Sequence, residues 1–177
     1  MFKRERERLA HKFLLTDIRR IGDTYRWKGE NVSTTEVQHH LSTFSQPSAS
    51  VLEANVYGIQ LPHHDGRAGC AALILGPETS ISSFPWDALY AHLAARLPKY
   101  AIPVFLRIVD SAVGSMSTEN NKQSKAGLRE EGVDPGAVGT KTGNGRDRFL
   151  WVRPGGRGYE EFGEREWKLL VDREVTL

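Results

Sequence analysis

Cysteine is nearly absent from this sequence. The single cysteine, Cys70, excludes a disulfide within the chain. It lies in the apolar run from Cys70 to Leu75, and a free cysteine in such a run is commonly a small buried hydrophobe. We therefore expect Cys70 to belong to the core rather than to act as a reactive thiol.

Long apolar runs, a strong net charge and a leader pattern are also missing. No stretch approaches the roughly 20 apolar residues of a spanning helix. The charged segment Met1–Arg8 is not followed by the apolar segment of a secretory signal. The mixed signs of that segment indicate a solvated helix or tail. Because the formal net charge of the chain is only +2, we expect no nucleic-acid partner.

Signals for strands and helices fill the rest of the chain. Hydrophobic residues make up 39% of it, enough for a core. Periodicity and turn residues predict, in order, a strand at 24–27, a helix after residue 33, strands at 51–61 and 68–75, a helix from residue 85, a strand at 104–109, a helix at 120–129, a strand at 149–152 and a helix at 164–171. This order predicts an α+β fold: a few-stranded sheet with a hairpin, covered by two or three helices.

Two local patterns add detail. Ser33 followed by Glu36 is typical of a capping box, so Glu36 is better explained as part of a helix cap than as a catalytic base. Val37, Leu41 and Phe44 then follow on one helix face. The glycine-rich residues 132–146 predict a mobile loop.

The segment 20–37 reads RIGDTYRWKGENVSTTEV. It closely resembles the C-terminal signature of the fatty acid transport protein and very-long-chain acyl-CoA synthetase family of adenylate-forming, AMP-binding enzymes. The resemblance continues through EANVYG at 53–58, HDGRAG at 64–69, LPKYAIPVFLR at 97–107 and KQSKAGLREEGVDP at 122–135. The ending at 162–167 is similar to that of fungal-type members.

The resemblance implies the fold of the small C-terminal lid domain of these enzymes. It also implies a two-step ligase that uses ATP, Mg²⁺ and coenzyme A. A large domain adenylates a fatty acid, and the lid then rotates so that coenzyme A attacks the acyl-adenylate. The sequence has no phosphate loop of the adenylation type, so we expect no cofactor to be bound by these residues alone, and a large adenylation domain as partner.

Candidate site residues come from the same segment. Gly29 matches the family glycine that lets the pantetheine arm pass close to the backbone. Arg20, Arg26 and Lys28 are suited to holding phosphate or adenylate oxygens, and Glu30 either orders the loop or faces water. The alternative for Arg26 and Lys28, which alternate along a predicted strand, is that they only keep an exposed strand soluble.

The region of the catalytic lysine departs from the family pattern. Related enzymes place the adenylating lysine where this sequence has Asn120, and Lys122 follows two residues later. An asparagine supplies no positive charge to the reacting phosphate, so Lys122 is the candidate catalytic residue. Arg19 also stands where the family has a hinge aspartate. The pairs at 39–40 and 63–64 are histidines, but no complete ligand set accompanies them, so we expect no metal site.

These observations divide the chain into a divergent extension at 1–18, a lid domain at 19–131, and a glycine-rich loop with a strand–helix tail at 132–177. The first hypothesis is the lid of a long- or very-long-chain fatty acid–CoA ligase that is inactive alone. The alternative is a non-catalytic remnant that acts as an interaction or regulatory module. By resemblance alone, we expect an intracellular location at peroxisomes, lipid droplets or the endoplasmic reticulum.

Overall fold

The structure is a computed structural model that describes residues 24–77, 79–109, 121–142 and 147–177, and their side chains except at 121–124 and 139–142. The strands are β1 (Thr24–Trp27), β2 (Glu30–Ser33), β3 (Ser45–Gln46), β4 (Ala49–Ile59), β5 (Ala68–Leu75), β6 (Phe105–Ile108), β7 (Arg148–Trp151) and β8 (Glu160–Phe162). The helices are α1 (Thr34–Ser42), α2 (Trp86–Ala94), α3 (Asn121–Glu131), α4 (Pro135–Thr142) and α5 (Glu164–Val171), with 3₁₀ turns at Ile81–Ser83 and Lys99–Ala101.

The main sheet has the strand order β3-β4-β5-β6-β7-β8, and β1 and β2 form a separate hairpin. β5 and β6 are parallel, because the chain crosses over through α2 between them. The other neighbours in the sheet are antiparallel. Every residue of β5 is buried, as expected for a central strand with both faces covered. The predicted α+β class is confirmed.

Helix α1 covers β4 and begins where the capping pattern predicts. The Ser33 hydroxyl accepts a hydrogen bond from the Glu36 N–H at 3.3 Å. Val37, Leu41 and Phe44 are all buried in the core. The N-cap and the apolar face at Val37 and Leu41 are therefore confirmed, whereas Phe44 lies past the end of the helix at Ser42. The helix carries the chain directly from β2 onto the sheet.

Helix α4 occupies part of the segment predicted to be a mobile loop. That prediction, made for 132–146, is wrong over Pro135–Thr142. The carboxylate of Asp134 accepts hydrogen bonds from the backbone N–H groups of Gly136 and Ala137, at 3.0 and 3.3 Å. A proline stands at the first helical position. Val138 is also buried. The cap and this apolar contact outweigh the poor helix propensity of glycine.

Three of the described strands are absent from the prediction: β2, β3 and β8. The turn residues after Trp27 indicate a break, but the chain folds straight back, so that Glu30–Ser33 pairs with Thr24–Trp27. β3 and β8 have only two and three residues, too few to show an alternation of apolar and polar positions.

Candidate functional site

The hairpin of β1 and β2 turns through two residues, Lys28 and Gly29. Their φ angles are 51° and 84°, the combination that a tight hairpin turn requires. Lys28 therefore lies in the turn, and the prediction that it alternates with Arg26 along a strand is wrong. An added Cβ at Gly29 would meet no atom within 4 Å. The backbone at this turn is thus open to solvent.

The hairpin is attached to the main body by the loop between β4 and β5. The Arg67 N–H donates to the Arg26 carbonyl at 2.7 Å, and Trp27 forms an isolated bridge with Gly66. Gly66 has a φ of 80°, and a Cβ there would lie 2.6 Å from the Arg26 oxygen. Tyr25 and Trp27 point into the core, so the intervening residue faces outward.

Three arginines line one cleft of about 440 Å³ beside the hairpin: Arg26, Arg67 and Arg129. We call it the arginine cleft. The other lining residues are Thr24, Tyr25, Gly58, Gln60 and Gly66. None of these described lining residues is acidic. Burial, followed by repulsion from Arg67, lowers the pKa of Arg129. Guanidinium groups gathered in this way suit a phosphate-bearing anion.

Arg26 also supports the turn itself. Its Nε donates to the Gly29 carbonyl at 3.1 Å, while the residue lines the arginine cleft. The Lys28 ammonium lies 5.8 Å from the centroid of the Trp27 ring, within reach of a cation–π interaction. Glu30 is exposed. The hairpin thus brings together four of the predicted site residues.

The remaining two predicted site residues are placed only in part or not at all. Arg20 lies outside the described residues. Lys122 lies in the first turn of α3, and its side chain is outside the description. Sequence reasoning did not single out Arg67 or Arg129 as site residues. A basic residue beside the turn glycine Gly66 was the available signal for the first of these.

Helix α3 is tied to the sheet by a buried cation. Arg107 on β6 is 3% exposed. Its Nη1 lies 2.5 Å from the carboxylate of Glu131, and its Nη2 lies 2.6 Å from that of Asp147. Burial alone lowers the pKa of Arg107, but Tyr57 and the two carboxylates outweigh this and raise it. Arg107 thus forms ion pairs with both carboxylates, and these contacts fix the end of α3, which carries Arg129.

The paired histidines contact protein groups. His64 Nδ1 donates to the Pro62 carbonyl at 2.8 Å, and its Nε2 accepts from the Leu177 N–H at 3.3 Å. His63 Nδ1 lies 2.9 Å from the Arg173 guanidinium. Within the described ranges, no group of three or more His, Cys, Asp or Glu residues is placed to hold a metal ion. No helix in those ranges is long and apolar enough to cross a membrane.

Several known proteins are similar to this chain, although no protein-family model matches it. Isopenicillin N epimerase component 1 of Hapsidospora chrysogena is 51% identical over 89% of this chain and 25% of that protein. The very long-chain fatty acid transport protein of Cochliobolus heterostrophus is 38% identical over 90% of this chain and 23% of that protein. Long-chain fatty acid transport protein 3 of Homo sapiens is 44% identical over 67% of this chain and 16% of that protein. The chain spans about a quarter of the first two relatives.

Solved structures give fainter matches. A mutant o-succinylbenzoate CoA synthetase from Bacillus subtilis, bound with a product analogue, is 28% identical with a TM-score of 0.40, over 50% of this chain and 16% of that chain. An anthranilate CoA ligase in complex with anthranoyl-AMP is 23% identical with a TM-score of 0.44, over 60% of this chain and 21% of that chain. The family is shown by the sequence relatives. The chain belongs to the family of fatty acid transport proteins and very-long-chain acyl-CoA synthetases, as its C-terminal domain.

Proposed function

We propose that these residues are the lid of a long- or very-long-chain fatty acid–CoA ligase, and that they present coenzyme A to an acyl-adenylate held by a larger domain. The observation that carries the proposal is the exposed turn at Gly29, which lies on the same hairpin as the arginine cleft. A thin ligand arm fits along open backbone while its phosphates reach guanidinium groups.

The described residues fit such a substrate by charge and by space. Arg26 and Arg67 would hold phosphate oxygens of coenzyme A, and Gly29 would leave room for the pantetheine arm. Lys28, at the tip of the hairpin, would hold an oxygen of the acyl-adenylate. Arg20 and Glu30 remain proposed contacts of the same two substrates. ATP and Mg²⁺ would be held by the larger domain.

The proposed step forms a thioester from the acyl-adenylate. The thiol sulfur attacks the acyl carbonyl carbon, the bond from that carbon to the phosphate oxygen breaks, AMP leaves, and the thiol proton passes to solvent. The share of the lid in this step is positioning, which converts an encounter in solution into a reaction between held groups. In the earlier adenylation step, Lys122 would stabilise charge on the reacting phosphate.

We propose further that the 177 residues alone do not form acyl-CoA. Adenylation needs a nucleotide-binding domain, whether on the same polypeptide or on another. The test mixes the chain with a long-chain acyl-CoA ligase whose lid has been removed, and measures palmitoyl-CoA formed from palmitate, ATP, Mg²⁺ and coenzyme A. We expect more product than either part forms alone.

Two variants sharpen this test. Arg67→Glu reverses a charge in the arginine cleft and should abolish the gain. Arg165→Glu reverses an exposed arginine on α5, outside that cleft, and should keep it. If the two parts bind one another but product does not rise, the ligase proposal is rejected and the non-catalytic interaction module is favoured.

A second candidate concerns the acid that is activated. The relative with 51% identity is named for isopenicillin N, whereas the very long-chain fatty acid transport protein is 38% identical. We propose isopenicillin N as the alternative acid. The measurement pairs the chain with the rest of each relative, after removal of its matching 158 or 160 residues, and offers both acids. Restoration only with the first relative and its acid supports this candidate, and restoration only with the second rejects it.

A further inference from the structure

A second cleft, of about 480 Å³, is lined in part by Trp27 and Lys28 of the hairpin. We call it the aromatic cleft and define it by Tyr90, Tyr100, Lys28, Lys99 and Arg153. Separate segments of the chain meet there: the hairpin turn, α2, residues 99–104, the loop between β7 and β8, and residues 176–177. Its volume is in the range of clefts that bind small molecules.

The walls of the aromatic cleft are apolar and held in place. Tyr90 and Tyr100 are half-buried, and Ile102 is 7% exposed. The Tyr159 hydroxyl donates to the Pro103 carbonyl at 2.8 Å, and the Tyr159 ring packs edge-on against that of Tyr90, with centroids 6.0 Å apart. The wall is therefore anchored to the core and does not depend on a ligand for its shape.

The rim of the same cleft is cationic. Lys28, Lys99 and Arg153 are exposed there. Arg153 stands at a tight turn, in which its carbonyl accepts a hydrogen bond from the Gly156 N–H at 2.7 Å. Among the described residues, no side chain that lines the cleft is acidic, and in the 177-residue protein these three cations outnumber the one carboxylate of Leu177. A ligand that matches this surface has an apolar body and one negatively charged end.

We propose that the aromatic cleft binds a long-chain fatty acid anion. Its carboxylate contacts Lys99 and Arg153, and its alkyl chain lies along Tyr90, Tyr100 and the buried wall beneath them. The choice of a fatty acid rests on the proposed function, but the binding itself needs no catalysis. Since each buried methylene contributes about 0.8 kcal/mol, affinity should rise up to about fourfold per added methylene until the chain outgrows the cleft.

The test is calorimetric titration of the 177-residue protein with decanoate, laurate and myristate below their micelle concentrations. We expect one site, tighter binding with longer chains, and at least about tenfold weaker binding of dodecanol, which has the chain of laurate without its charge. Lys99→Glu and Arg153→Glu should each weaken laurate binding about tenfold. Both residues are exposed, so circular dichroism should show both variants folded.

Two matched controls separate this site from other basic surfaces. Arg67→Glu in the arginine cleft and Arg165→Glu on α5 should leave laurate binding unchanged. The proposal is overturned if laurate does not bind, if dodecanol binds equally well, or if all four charge reversals weaken binding to the same extent. A failure here leaves acyl-CoA formation in the mixed ligase intact, whereas failure of the ligase proposal leaves laurate binding intact.

Discussion

Replacing Arg107 with methionine tests how helix α3 is fixed to the sheet. Arg107 bonds the carboxylates of both Glu131 and Asp147, and 4% of its side chain is exposed. Methionine fills a similar volume but leaves both carboxylates without that cation. Because the side chain of Asp147 is 2% exposed and that of Glu131 is 23% exposed, the penalty falls mainly on Asp147.

Removing one partner of a buried ion pair costs about 3–5 kcal/mol. The partial exposure of Glu131 places this substitution at the lower end of that range. A loss of about 3 kcal/mol raises the unfolding constant roughly 150-fold. For a chain of this size it should lower the melting temperature by about 6–12 °C. Urea denaturation followed by tryptophan fluorescence, with calorimetry for the melting temperature, measures both quantities.

A double-mutant comparison separates the effect of the buried Asp147 charge on stability from the effect of lost packing. If the reasoning is correct, Asp147→Asn in the Arg107→Met background should recover part of the lost free energy of unfolding, because it removes the buried charge. The same substitution in the wild-type chain should be destabilising. A cost below about 1 kcal/mol for Arg107→Met, or no recovery in the double variant, would refute the argument.

Three further outcomes follow from single residues. Gly66→Ala should destabilise more than Gly29→Ala, because only the first places a Cβ against the Arg26 carbonyl. For Gly29→Ala we expect about 1 kcal/mol, the cost of the left-handed conformation for alanine. Equal urea midpoints for the two variants would contradict this. Burial raises the pKa of the Cys70 thiol to about 12. The native protein at pH 8 should therefore react with a thiol reagent far more slowly than the urea-unfolded chain. Equal reaction rates would be inconsistent with a buried Cys70. Burial lowers the pKa of His92. Below about pH 6.5 the unfolded state therefore binds more protons than the folded state, and the free energy of unfolding falls on acidification. The urea midpoints at pH 7.5 and 5.5 should differ less in His92→Gln than in the wild-type protein, and an unchanged difference would exclude this cause.

Elements with a complete local pattern were predictable from the sequence. The predicted strand at 68–75 and helix at 164–171 coincide with β5 and α5. β5 is a continuous apolar run of strand length, and Cys70 within it is fully buried. The cap at Ser33 needs only a hydroxyl and the backbone of a residue three positions later. In each case the determining contacts lie within a few positions along the chain.

The arginine cleft was not predictable in this way. Arg26, Arg67 and Arg129 lie far apart in sequence and meet only because the hairpin, the loop between β4 and β5, and helix α3 all pack around β4. The amino-acid sequence alone gives no spatial distance between residues that lie so far apart along the chain. The prediction of a mobile loop over the α4 segment was wrong for a related reason, since the cap by Asp134 and the burial of Val138 outweighed a local composition rich in glycine.

The hairpin contributes lining residues to both clefts. Arg26 faces the arginine cleft, whereas Trp27 and Lys28 border the aromatic cleft. Both faces are fixed to one loop, through the Arg67 N–H on the Arg26 carbonyl and the bridge from Trp27 to Gly66. A displacement of the hairpin would therefore change the lining of both clefts. If a ligand in one cleft shifts the hairpin and thereby changes the affinity of the other cleft, the coupling is reciprocal. A ligand in the second cleft must then change the affinity of the first cleft by the same factor.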